Sequence, residues 1–286
     1  MGRSWLFLVS LLSVGCCFGS SRPALPFAAA RAAHPTHLLA HEPSPQEYDG
    51  EVPREAEVVH YPSGDLQLMA WLAVPPGEAT LPRPVLVYAH GGWSMEAGDF
   101  DNARAAYDAG FIVFMPTLRG ENGNPGDHEF AFGEVDDLRA SIMFVRQQPG
   151  VDASRIYLIG HSAGGMVTSL AALYPDLPVA LTASIDGVYA PETVCGMTEF
   201  PTFDVNDPEE CQLRSLLPFA SELPREHRAY IGTEDVGIRQ QMPSIQRAVA
   251  RSHGRLVVVD VPGDHFQSVA PALADFLDVI RATPGG

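Results

Sequence analysis

Short apolar runs without polar alternation, helical spacing between most of them, and a length of 286 residues predict an α/β fold, a mostly parallel sheet with helices on both faces. The length suits one large domain with a full core, and no composition shift divides it into two comparable units. Residues 55–61 and 67–74 flank Pro62-Ser63-Gly64-Asp65 and read as a hairpin. Apolar runs recur at 85–89, 111–115, 156–159, 180–184, 229–231 and 256–259. Helical spacing at 102–109, 134–148, 165–174 and 242–252 separates most of them, and a closing helix spans 269–282. Residues 187–224 break the alternation where they would cap the carboxyl edge of the sheet, which makes this insertion a lid candidate.

Charge and composition remove whole classes of chemistry. A formal charge of −17 repels phosphate backbones and anionic headgroups, so nucleic acid is not expected as a partner. All eighteen basic residues are arginine. Without lysine there is no Gly-Lys-Ser/Thr phosphate loop, no Schiff base and no Ser-Lys dyad. What remains is Ser, His, Cys and carboxylate chemistry.

Arg3 precedes an apolar run from Trp5 to Phe18, too short to span a bilayer comfortably and ending in small residues and cysteines. Residues 1–19 therefore read as an export signal rather than an anchor or core helix. Leu12-Ser13-Val14-Gly15-Cys16 resembles a bacterial lipoprotein processing site, which makes Cys16 a lipidation candidate and an N-terminal lipid the one expected route to a membrane. A periplasmic or extracellular location follows. Of the four cysteines, Cys195 and Cys211 would then remain, and an oxidising compartment favours their pairing over two free thiols. Residues 20–53, rich in Ala, Pro and Ser, read as a flexible tether to a catalytic domain at 54–286. His34, His37 and His41 read as linker histidines, because nothing near them completes a metal shell.

The run Ile156-Tyr157-Leu158-Ile159 leads into Gly160-His161-Ser162-Ala163-Gly164-Gly165 and then a helix, the strand–turn–helix context that Gly-x-Ser-x-Gly requires. Gly160 and Gly164 allow strand and helix to approach closely, so Ser162 projects at the sheet edge as a nucleophile with the Ala163 amide facing a developing oxyanion. His90-Gly91-Gly92-Trp93 follows an earlier strand, and the second oxyanion donor is expected from Gly92 or Trp93. A general base is needed to take the hydroxyl proton and return one to the leaving group. Of ten histidines, His265 in Gly263-Asp264-His265-Phe266 stands after the last strand and before the last helix. The acid that orients it is expected at Asp235, after residues 229–231, with Asp186 as the alternative. Between the cysteines of the insertion, Glu199, Asp204, Asp207, Glu209 and Glu210 accompany Phe200 and Phe203 with no basic residue. Two readings stand: a solvated acidic loop, or a lid that attracts a cationic substrate.

His90-Gly91-Gly92, Arg119-Gly120, Asp136-Asp137 and the Gly160–Gly165 stretch resemble the catalytic domain of the prolyl oligopeptidase family, and also the dienelactone-hydrolase-like enzymes. The resemblance continues through Gly232-Thr233-Glu234-Asp235 and Gly263-Asp264-His265. It implies an α/β-hydrolase fold, a triad of Ser162, Asp235 and His265, and an Arg119 that braces the fold through an acidic partner. Two features depart from the family. Its peptidases usually carry a large N-terminal propeller, and several use a tyrosine near His-Gly-Gly as an oxyanion donor, where Trp93 stands here.

The expectation is a serine hydrolase without cofactor or metal, acting on a short peptide or a small-molecule ester through an acyl-enzyme. Peptidase is the first reading, carboxylesterase the second, and a non-catalytic binding protein on the same fold the third. No HExxH or comparable cluster supports a metal-dependent hydrolase.

Overall fold

Gly64, at φ +55, turns the chain after β1 (Glu57–Ser63) so that β2 (Leu66–Ala73) returns antiparallel, with Ser63 opposite Leu66. The computed structural model describes residues 23, 25–48, 50–77, 82–197 and 202–283. The expected export signal with Cys16, and Glu199 and Phe200 of the insertion, lie outside the described residues. β2 pairs antiparallel with β4 (Ile112–Pro116). From there β3 (Arg83–Ala89), β5 (Val151–His161), β6 (Leu181–Ile185), β7 (His227–Gly232) and β8 (Leu256–Val261) run parallel. The eight-stranded order is β1-β2-β4-β3-β5-β6-β7-β8. β5 starts at Val151 rather than Ile156, because Val151 pairs with Arg83 across a register shift.

The strands read as unbroken apolar runs because both faces are buried. On β3, Val85, Val87 and Ala89 enter one core while Leu86 and Tyr88 enter the other. The first core lies under α3 (Gly133–Val145), α4 (Ala163–Ala171) and α8 (Met242–Arg251), the second under α2 (Asp99–Asp108) and α9 (Val269–Ala282). Helix α9 buries Val269, Ala272, Leu273, Phe276, Leu277 and Ile280, a stripe at helical spacing. Arg119 grips the buried Asp137 of α3 through Nε (2.8 Å) and Nη2 (2.9 Å), and Asp137 also accepts the Ser63 hydroxyl at 2.6 Å. The brace expected of Arg119 thus ties α3 to the hairpin.

The stretch expected to be a tether is docked instead. Helix α1 (Phe27–Ala33) buries Phe27 edge-on to Tyr174 (5.7 Å) and Phe219 (5.0 Å). Arg31, 7% exposed, donates to the Tyr174 hydroxyl and the Phe132 carbonyl, each at 2.6 Å, and pairs with Asp136 at 3.1 Å. The alanine-rich composition conceals the pattern Phe27, Ala30, Arg31, which is one helical face. Beyond α1 the chain crosses the loops at the carboxyl edge of the sheet. Leu39 donates to Thr202 (2.7 Å), Glu42 accepts from His128 (2.9 Å) and Ser44 donates to Gly120 (3.0 Å). His41 pairs with Asp127 at 2.7 Å, and His34 lies 3.4 Å from Glu209.

The insertion between β6 and β7 folds as α5 (Pro191–Gly196), α6 (Pro208–Leu213) and a 3₁₀ turn (Leu217–Glu222). Cys195 and Cys211 form a disulfide across a separation of 16 residues, a loop whose closure is worth about 3 kcal/mol in the chain-entropy account. Part of its acidity is consumed internally. Glu210 pairs with the fully buried Arg214 and accepts from the His37 amide at 2.8 Å, while Asp207 caps α6 by accepting from Glu209 at 2.8 Å. Phe203 is core, beneath the Arg214 guanidinium at 3.9 Å. Among the described residues no helix is long and apolar enough to cross a membrane.

If α1 is integral to the domain, Phe27→Ala should lower the unfolding free energy in urea by about 3 kcal/mol, as for other buried aromatics truncated to alanine. An unchanged midpoint would mean that α1 contributes nothing to the core.

Candidate active site

Six parallel strands end at one edge, and the loops after β3, β5, β6, β7 and β8 carry residues of the site, as open α/β sheets arrange their ligand crevices. After β5, Ser162 sits at φ 54, ψ −115, a strained conformation for a residue with a side chain. It is fixed by its own amide donating to the Ile185 carbonyl (2.9 Å) and by its carbonyl accepting from Met166 (2.9 Å). A Cβ on Gly160 would strike the Gly164 carbonyl, and one on Gly164 would strike the carbonyls of Ala89 and His90. Glycine at both positions is therefore a packing requirement. Ala163 opens α4, so its N–H belongs to the first turn of the helix, whose amides have no partner within it.

Ser162, Asp235 and His265 come together in one chain of hydrogen bonds. Ser162 Oγ lies 2.9 Å from His265 Nε2, and His265 Nδ1 lies 2.6 Å from Asp235 Oδ2. The other Asp235 oxygen accepts the Ile238 amide at 2.9 Å, capping α7 (Val236–Arg239). Burial works to raise the Asp235 carboxyl, but the His265 hydrogen bond and the Ile238 amide outweigh it and hold it below the usual range. A carboxylate is thus maintained beside the imidazole, where it stabilises positive charge on the ring.

Asp186, the alternative acid, bridges the two neighbouring loops instead. At φ +45 it accepts Gly232 N–H at 2.8 Å and the Ser268 hydroxyl at 2.5 Å, joining the loop of Asp235 to that of His265. Burial pushes its carboxyl up against those two hydrogen bonds. Among the described residues Asp186, Asp235 and His265 bring donor atoms within 4.8 Å of one another. Hydrogen bonds to Gly232, Ser268, Ile238 and Ser162 already engage these side chains.

Two histidines beside the site do positioning work: His90, expected from its motif to fix its loop rather than to act as a base, and His161, which the motif did not announce. His161 donates from Nε2 to the His265 carbonyl (2.7 Å), and its ring lies 4.8 Å from the His265 ring. Burial, then the neighbouring His265, lower its pKa to about 4, so it is a neutral donor at physiological pH. His90 directs Nε2 at Glu121 (3.1 Å) and Nδ1 at the Gly91 carbonyl (3.0 Å). Both nitrogens face acceptors, as in an imidazolium. Burial opposes that charge, but Glu121 prevails and raises its pKa to about 9. An acidic residue after Arg119-Gly120 was the one available signal for this pair.

The loop after β3 lies against the elbow, where a Cβ on Gly91 would come within 3.4 Å of Ser162 Cβ. Gly92 takes φ +71. The Trp93 amide donates to Gln46 Oε1 at 2.9 Å, so of the two expected donors this one already has a partner. Tyr88 points into the opposite core beneath α2. Phe266, 69% exposed, and Val236, 73% exposed, present apolar surface beside His265 and Asp235.

Fold and site define an α/β protein with a serine–histidine–aspartate arrangement at the carboxyl edge of its sheet. Residues 85–282 match the alpha/beta hydrolase family, and the chain belongs to it. It is 36% identical over 79 residues to the Bacillus subtilis protein described as uncharacterized peptidase YtmA, covering 28% of this chain and 31% of that one. Its fold resembles that of Pyrococcus horikoshii acylaminoacyl peptidase, with a TM-score of 0.64, 19% identity and coverage of 79% of this chain and 41% of that one. It also resembles a putative dienelactone hydrolase from Klebsiella pneumoniae, with a TM-score of 0.59, 18% identity and coverage of 80% and 98%. The chain thus spans less than half of the two peptidases. The sequence resemblance to the prolyl oligopeptidase family agrees with these neighbours.

His161 and His227 are buried and neutral, with pKa values lowered by burial to about 4 and about 3. As pH falls below 6.5 the unfolded chain takes up protons at these sites that the folded chain refuses, so stability is lost down through the folded values. His161→Gln should flatten that loss by on the order of 2 kcal/mol at about pH 4.5 relative to neutrality, read by urea unfolding. Parallel pH curves for the two proteins would contradict the assignment.

Proposed function

We infer that this protein is an exported serine hydrolase cleaving an ester or amide bond through an acyl-enzyme on Ser162. The observation that carries this reading is the unbroken Ser162–His265–Asp235 chain at 2.9 and 2.6 Å, on a strained elbow beside helix N–H groups. Ser162 Oγ attacks the carbonyl carbon while its proton passes to His265 Nε2, and Asp235 balances the imidazolium. The developing oxyanion accepts from Ala163 N–H and from the Gly91-Gly92-Trp93 loop. The carbon–nitrogen or carbon–oxygen bond then breaks as His265 protonates the leaving group. Water, deprotonated by the same imidazole, releases the acid and restores Ser162. The disulfide is consistent with an oxidising compartment and so supports export.

Peptidase is the first reading of the substrate class, supported by the Bacillus relative at 36% identity. Exposed Phe266 and Val236 beside the base and acid suit a hydrophobic group flanking the scissile bond. Carboxylesterase on small esters is the second, favoured by one observation. Tyr88 is buried on the far face of the sheet, so no hydroxyl is supplied to the oxyanion from that position.

Ser162→Ala should fold normally and lose about a millionfold in kcat, and Asp235→Asn about 10⁴-fold. Aminoacyl nitroanilides and p-nitrophenyl esters, assayed with the purified mature chain, distinguish the two substrate classes. A loss below about tenfold in Ser162→Ala would remove Ser162 from the mechanism.

A further inference from the structure

A loop built on Gly91 and Gly92 has little stiffness of its own, yet an oxyanion donor is effective only if its direction is fixed before charge develops. The structure fixes the loop from outside at three places. His90 is held by Glu121, as described above. Met95 is clamped by Asn122, whose Oδ1 accepts the Met95 N–H (2.8 Å) while its Nδ2 donates to the Met95 carbonyl (2.7 Å). Trp93, between them, is clamped in the same two-handed way by the N-terminal arm. Its N–H donates to Gln46 Oε1 (2.9 Å) and its carbonyl accepts the Ser44 hydroxyl.

We propose that Gln46 is a positioning residue of the oxyanion loop. By taking the Trp93 N–H it sets the peptide joining Gly92 to Trp93, and it leaves the Gly92 amide as the second donor beside Ala163. The inference rests on the serine hydrolase reading and deepens it.

The amide orientation follows from chemistry. Trp93 N–H can only donate, so it meets the side-chain oxygen, while the nitrogen donates to Glu96 Oε1 at 3.3 Å. The Gln46 backbone N–H donates to Ser44 Oγ at 3.3 Å, so the two clamping residues also hold each other. Contact with the loop is close, since a Cβ on Gly92 would lie 2.8 Å from Gln46 Oε1. The arm is anchored on the protein's insertion and edge loops through Glu210, Thr202 and Gly120, so Gln46 arrives on a fixed support.

The test compares Gln46→Ala, Ser44→Ala and a control, His41→Ala, which removes an arm contact to Asp127 that does not touch the loop. A p-nitrophenyl ester gives kcat and KM, phenylboronic acid reports affinity for a tetrahedral adduct, and a thermal melt reports folding. Gln46→Ala should lower kcat about tenfold, the value of one hydrogen bond, with KM within about twofold. Boronate affinity should fall in parallel, Ser44→Ala should follow in direction, and the melts and His41→Ala should match wild type. An unchanged kcat and boronate affinity would reduce the arm to a wall. A rise in kcat would make Gln46 an occupant of the hole, and a loss confined to KM would make it a substrate contact; each overturns the proposal. If wild type itself neither turns over esters and nitroanilides nor binds boronate, the hydrolase reading falls first and takes the inference with it.

Discussion

Everything at the site depends on one backbone conformation, Ser162 at φ 54. A residue held there costs roughly 1–3 kcal/mol and persists only where its surroundings over-determine it. They do so here by close approach. Helix α4 lies so near β3 and β5 that no side chain fits at Gly160 or Gly164, and Ser162 N–H is taken by β6 through Ile185. The same closeness brings the loop after β3 against the serine, and so sets where an oxyanion donor can stand.

The remaining members are positioned by polar groups buried among the strand ends. Asp186 joins the loops of Asp235 and His265, His161 holds the His265 carbonyl, and His90 with Glu121 anchors the start of the Gly91-Gly92 loop. Each is a buried polar or charged group that would be costly unpaired, so each favours one arrangement of its loop over the alternatives. The opposite directions of the two histidine shifts follow from their partners. His161 faces a carbonyl and another histidine and stays neutral, whereas His90 faces a carboxylate and is charged.

Sequence carried the α/β architecture and the meeting of Ser162, His265 and Asp235, because the strand–turn–helix context of Ser162 is local and each of the other two follows a recognisable strand whose end lies at the same edge of a parallel sheet. It could not choose between Gly92 and Trp93, because that choice turns on Gln46, which reaches the loop from a stretch read as a tether. Composition misled there. Alanines and prolines at 26–45 looked unstructured, but Phe27 and Arg31 dock on Tyr174 and Phe132, and the extended chain beyond them binds loops through backbone groups that carry no sequence signal. Arg214 was invisible for a similar reason. A buried arginine is legible only once Glu210 and the Glu129 carbonyl are known to surround it.

The central claim is that Ser162 carries an acyl group during turnover. Mixing the purified protein with an activated ester, quenching in acid within the first turnover and cleaving at arginine isolates residues 156–214 as one fragment, since the chain has no lysine and no arginine inside that span. The account predicts a single acyl mass on that fragment, localised to Ser162 by fragmentation, which disappears as substrate is exhausted. Ester turnover with no adduct on this fragment, or with the acyl mass on another residue, would contradict it.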